Sequence, residues 1–127
     1  MTISEVSKKY DLIQDTLRYY EKIGLLSNVP RNKPGIRNYD DKSCRQIEFI
    51  KCMMSADMQI ETLVKYMALF KKGKKTVSVR KELLVEQRKI LVSKQEEIMK
   101  TIERLDYKIS LYSEIEECIR KDFTEEI

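Results

Sequence analysis

Apolar positions along this chain follow two rhythms, one short and broken, the other long and regular. Up to about residue 70 they arrive in brief groups at helical spacing, separated by turn residues. Thr2-Ile3-Ser4-Glu5 reads as a capping box that starts a first helix. Ile3 and Val6 face inward there, Tyr10 or Leu12 seals the turn, and the helix is expected to end near Lys9. On a second helix of period 3.6, Ile13, Leu17, Tyr20 and Gly24 share one face. Gly24 can then close that helix in a left-handed cap, and Leu25-Leu26 return to a core. Pro34-Gly35 punctuates a short hairpin over residues 29–39. Asp40 or Asp41 can cap a third helix to about Ser55, with an apolar arc of Ile47, Ile50 and Met54 edged by Gln46 and Met53. A fourth, from about Gln59 to Phe70, carries Ile60, Leu63, Val64, Met67 and Phe70.

After Gly73 the rhythm changes. Leu84, Leu91, Ile98, Leu105, Tyr112 and Ile119 recur every seventh position, interleaved with Arg88, Gln95, Ile102, Ile109 and Glu116. This is a heptad seam on a helix expected from about Val79 to Cys118, strongest at Ile98-Ile102-Leu105-Ile109-Tyr112. Such a helix would expose a continuous apolar stripe if it stood alone, so a second copy is expected to pair with it.

The polar side of the second helix brings in chemistry. Asp15, Arg18, Tyr19 and Lys22 lie opposite the apolar face. A guanidinium, a phenol and an ammonium suit phosphate oxygens and base edges, which is the outline of a DNA recognition helix. The hairpin adds Arg31, Lys33 and Arg37, with Tyr39 close by.

Thr16-Leu17-Arg18-Tyr19-Tyr20-Glu21-Lys22-Ile23-Gly24-Leu25-Leu26, then Pro30-Arg31, then Gly35-Ile36-Arg37-Asn38-Tyr39, resembles the MerR family of transcriptional regulators. The match is ordered and dense over about the first 70 residues. It implies a mainly α fold: a winged helix-turn-helix DNA-binding domain (1–70), a basic linker (71–78), and a dimerisation helix and tail (79–127) forming an antiparallel coiled coil. The hairpin becomes the wing, with Arg31, Arg37 and Tyr39 at phosphates. The expected DNA contacts are Gln14, Asp15, Thr16, Arg18, Tyr19, Tyr20, Arg31, Lys33, Arg37 and Tyr39. Gln14, Asp15 and Arg18 are the ones placed to reach base edges. The expected dimer contacts are Leu84, Leu91, Ile98, Ile102, Leu105, Ile109 and Tyr112. Some positions depart from the family pattern. Asp11 stands for the usual turn glycine, Ile13 for a Ser or Thr cap, and Ile36 for a common tyrosine. Met54 and Asp57 replace an Arg and a Gly, and Asp57 can instead act as an N-cap.

Composition narrows the function classes. The 127 residues are 36% charged with a formal net charge of +4, so the total is only mildly basic. The basic residues concentrate in Lys71, Lys72, Lys74, Lys75, Arg80 and Lys81, while acids outnumber bases from Glu82 onward. A lysine run of this kind is either a solvated linker or a supplementary phosphate contact. Histidine is absent, which removes the commonest general base and transition-metal ligand, and an enzyme is not expected. No cofactor is expected. Three cysteines, without a signal peptide or long apolar run, point to a reduced cytoplasmic setting and to no membrane span.

The family resemblance also implies a mechanism. Such dimers occupy the over-long spacer of a promoter, at a palindromic operator, and distort it so that RNA polymerase engages both promoter elements. Metal sensing is not expected, because Val77, Ser78 and Val79 occupy the region where metal-sensing members place a Cys. The segments Ile47-Glu48-Phe49-Ile50-Lys51-Cys52-Met53, Arg80-Lys81-Glu82-Leu83-Leu84 and Leu105-Asp106-Tyr107-Lys108-Ile109 resemble the aldehyde-responsive subgroup. There a cysteine at the position of Cys52 is thought to react with electrophiles. A thiol beside Arg45 or Lys51 would carry more thiolate character; the alternative is a small packing residue. Cys44 and Cys118 read as structural or incidental. A different class of function stays open: an architectural, excisionase-like DNA-bending protein with no inducer.

Overall fold

The computed structural model describes residues 1–126, and the side chains up to Lys121. Its helices are α1 (Ile3–Tyr10), α2 (Gln14–Lys22), α3 (Asp41–Ser55), α4 (Ile60–Lys71) and α5 (Val77–Glu126), with a short 3-10 turn, Gly73–Thr76, before α5. Local chemistry sets most of the boundaries. Thr2 and Glu5 close a reciprocal capping box on α1. Asp40 caps α3 by accepting the Ser43 amide at 2.9 Å. Asp11 ends α1 in the left-handed conformation (φ 53°), a role that Asp tolerates better than most residues. Gly24 turns left-handed directly after α2 (φ 86°).

Two expectations fail at helix ends. Ile13 precedes α2 as an extended residue with no capping side chain and is 73% exposed, so it does not extend the buried face of Leu17 and Tyr20. Periodicity counted it as helical, but the helix begins one residue later. Asp57 adopts a left-handed turn (φ 61°), and Gln59 takes the N-cap position of α4.

The chain divides into two compact units, Met1–Arg88 and the part from Lys89 on. In the first, Val6, Leu17, Leu25, Leu26, Ile47, Ile50 and Leu63 are almost wholly buried and form one core with Tyr39 and Met67. Each side chain of this size contributes roughly 1.5–3 kcal/mol when withdrawn from water. Polar bonds clamp α3 to what precedes it. The Tyr10 hydroxyl donates to Glu48 at 2.9 Å, and Lys51 Nζ donates to the Tyr10 carbonyl. The Gln46 amide pairs with Ser27 in both directions, each at 3.0 Å.

The basic stretch after α4 is ordered in its backbone. Thr76 is buried and its hydroxyl donates to the Leu69 carbonyl at 2.7 Å, while Lys71, Lys72, Lys74 and Lys75 stay exposed. The first turns of α5 belong to the same unit. Leu83 and Leu84 pack on the core, and Gln87 donates to the Ala56 carbonyl at 2.7 Å. Leu84, expected in the dimer seam, is half-buried and packs in part on the core of this unit.

The second unit is one helical segment. Leu91, Ile98, Ile102, Leu105, Ile109 and Tyr112 are all at least 40% exposed on it. Among the described residues no helix is long and apolar enough to cross a membrane.

Candidate nucleic-acid interface

The candidate surface is built from α2 and the turn that follows it. Leu17 and Tyr20 anchor α2 in the core, which directs Arg18, Tyr19 and Lys22 outward. Tyr19 is 49% exposed. Arg18 is held along the helix by Asp15 at 2.8 Å and by Gln14 at 3.4 Å. The Asp15 side chain is 90% exposed, so this ion pair restrains a rotamer and adds little stability. Gln14 and Thr16 are half-exposed beside it.

The hairpin is smaller than the sequence pattern implies. Its only ladder contact is an isolated antiparallel bridge between Arg31 and Arg37. Turn bonds do the remaining work: Asn32 accepts the Gly35 amide on its carbonyl and the Ile36 amide on Oδ1, at 2.9 and 3.0 Å. Gly35 sits at φ 85°, where a side chain would be strained. Arg31 donates to the Gly35 carbonyl at 2.9 Å, which stiffens the tip. Arg31, Lys33 and Ile36 are exposed on it.

Glu21 joins the two parts. Its carboxylate accepts the Val29 amide at 3.2 Å and lies 3.5 Å from Arg37 Nε. That Nε is buried and makes no hydrogen bond, so its contact with Glu21 is ionic only. Sequence reading missed Glu21. Its signal was a carboxylate in the last turn of α2, a few residues before the cationic hairpin.

Two of the tyrosines expected to meet DNA lie inside. Tyr20 is 9% exposed and Tyr39 is 2% exposed, so both are core residues in the free chain. Burial pushes both phenols above their ordinary value. The Tyr39 hydroxyl has no hydrogen-bond partner. The backbone of Tyr39 pairs with Met1, donating to its carbonyl at 2.7 Å and accepting its amino group at 2.8 Å. The remaining expected contacts, Gln14, Asp15, Thr16, Arg18, Tyr19, Arg31, Lys33 and Arg37, are exposed or half-exposed on α2 and the hairpin.

The cysteines differ in setting. Cys52 is exposed on α3, while its neighbour Lys51 turns away to the Tyr10 carbonyl. Cys44 is half-buried beside Tyr10, whose phenol is raised well above 10 by burial first and by Glu48 and Cys44 after it. Cys118 is exposed on α5. Among the described residues no three potential metal ligands converge.

Comparison with known proteins bears directly on this surface. A model of MerR HTH family regulatory proteins matches residues 1–69. The HTH-type transcriptional regulator AdhR of Bacillus subtilis is 47% identical over 92 residues, which cover 72% of this chain and 66% of that protein. A crystal structure assigned to the MerR family transcriptional regulators of Listeria monocytogenes superposes with a TM-score of 0.84 at 39% identity, covering 89% of this chain and 86% of that one. HiNmlR, described as a MerR family regulator lacking the sensor domain and solved bound to promoter DNA, superposes at 0.80 with 26% identity, covering 89% of this chain and 90% of that one.

Proposed function

This chain belongs to the MerR family of helix-turn-helix regulatory proteins and is a DNA-binding transcriptional regulator, and from that premise we propose how it acts. Two copies pair through α5 and present two α2 helices to one palindromic operator. The carrying observation is the stripe of Ile98, Ile102, Leu105, Ile109 and Tyr112, each exposed on the free chain at heptad spacing. Five such side chains in water are costly, and burying them against a second α5 removes that cost. A fixed pair of recognition helices then requires a fixed half-site spacing.

On DNA, Arg18 with Gln14 and Asp15 reads base edges, while Arg31, Lys33 and Arg37 meet phosphates. The DNA-bound state of HiNmlR supports this side of the reading. The dimer distorts a promoter spacer so that RNA polymerase engages it, in the cytoplasm where thiols stay reduced. Cys52 is the proposed sensor, reacting with an electrophile such as an aldehyde. Its exposure on α3 and the 47% identity to AdhR support that assignment. In vitro transcription from a promoter with an over-long spacer tests the whole. The protein should raise transcription when an aldehyde is present, and footprints confined to random duplex would overturn the operator model.

A further inference from the structure

Between α3 and α4 the Met1–Arg88 unit holds a cavity of about 390 Å³, within the range of small-ligand sites. Phe49 and Tyr66 stack in one wall, with ring centroids 5.0 Å apart and planes 25° from parallel. Met67 and Phe70 extend that apolar lining. Phe70 is 47% exposed, with the Arg80 guanidinium 5.2 Å from its ring. At the mouth stand Lys42 and Arg45, one turn apart on α3 and both exposed. Arg45 makes no ion pair among the described residues. Flat rings inside and two cations at the opening are complementary to one kind of molecule. We propose that this cavity binds a small aromatic carboxylate, its ring against Phe49 and Tyr66 and its anion at Lys42 and Arg45.

The cavity also has a route to the DNA surface. Its wall includes Gln46, whose side-chain amide bonds through both its oxygen and its nitrogen to Ser27, three residues beyond Gly24 at the end of α2. A ligand that binds one arrangement of α3 better than another therefore biases the seating of α2. That effector role rests on the regulatory reading above, whereas the binding itself does not.

The test uses the full chain, with anilinonaphthalene sulfonate as fluorescent probe, displaced by phenylacetate or by the neutral phenylethanol. Operator binding is followed by anisotropy in the same samples. Phenylacetate should displace the probe saturably, and better than the alcohol. The paired change Lys42→Ala with Arg45→Ala should weaken phenylacetate by about tenfold and spare the alcohol. Phe70→Ala, at an exposed position that the fold tolerates, should weaken both. Equal binding of acid and alcohol, an unchanged affinity in the paired variant, or no saturable displacement overturns the proposal. So does a probe signal that appears only on dilution, since a second copy would then fill the cavity. Intact operator binding without acid binding sinks the cavity alone. Acid binding without operator binding sinks the regulatory mechanism instead.

Discussion

Glu21 lies 3.5 Å from Arg37, and this contact ties α2 to the hairpin that flanks it. The same carboxylate accepts the Val29 amide, so one side chain sets where the chain leaves α2. Glu21→Ala removes both links and leaves a partly buried donor without its acceptor. The expected loss of stability is roughly 1–3 kcal/mol, with Glu21→Gln costing less because it keeps the Val29 bond. Chemical denaturation of the two variants gives the comparison, and equal losses would show that the charge matters more than the hydrogen bond.

Arg18 and Arg31 are expected to fail differently. Arg18→Ala should remove about 1–3 kcal/mol of discrimination between operator and altered operator, because a base contact is lost. Arg31→Ala should weaken all duplexes alike and reduce the slope of log affinity against log salt by about 1. Titrations at several salt concentrations separate the two, and identical behaviour would remove the distinction between reading and positioning.

For the thiol, Cys52→Ser should abolish the transcriptional response to aldehyde and leave operator affinity unchanged. Mass spectrometry of briefly alkylated protein should find Cys52 modified before the half-buried Cys44. A variant that responds like the parent points to a non-covalent inducer.

Leu105, 56% exposed on the free chain, sits within the strongest part of the α5 seam. Leu105→Asp places a charge in the paired interface and should give a monomer by sedimentation, with operator affinity falling towards that for random duplex. Helicity should persist in residues 1–88, where α5 packs on the body. A parent protein that is itself monomeric would refute the dimer.

Acid stability should depend on Asp40. Hydrogen bonds from the Ser43 amide and hydroxyl, at 2.9 and 2.8 Å, hold its carboxyl below its ordinary 3.8. The folded form is thus the stronger acid. Its contribution is present above that ordinary value and is lost as pH falls below it. Asp40→Asn keeps an acceptor for the cap but cannot titrate, so the fall in melting temperature on acidification should be shallower. Glu5, lowered by its bonds to Thr2, should supply part of what remains. Melting curves from about pH 5 to about pH 2 test this, and an unchanged acid limb would assign the loss to other carboxylates.

Sequence alone determined the helices and most of their ends. Thr2 with Glu5, Asp40 and Gly24 act within a few residues of themselves, so their capping is written locally. The outward cations of α2 and the heptad rhythm of α5 are equally local, being spacings along one helix. Tertiary structure decided what each apolar or charged group meets. Periodicity gave Tyr20 an inward face, yet only the fold shows that Tyr39 joins it in the core and that Leu84 packs partly against its own body. The Glu21–Arg37 contact, the Gln46–Ser27 pair and the ring-lined cavity likewise join residues from separate elements. A spacing rule specifies a direction around a helix axis, and only packing specifies which side chain waits there.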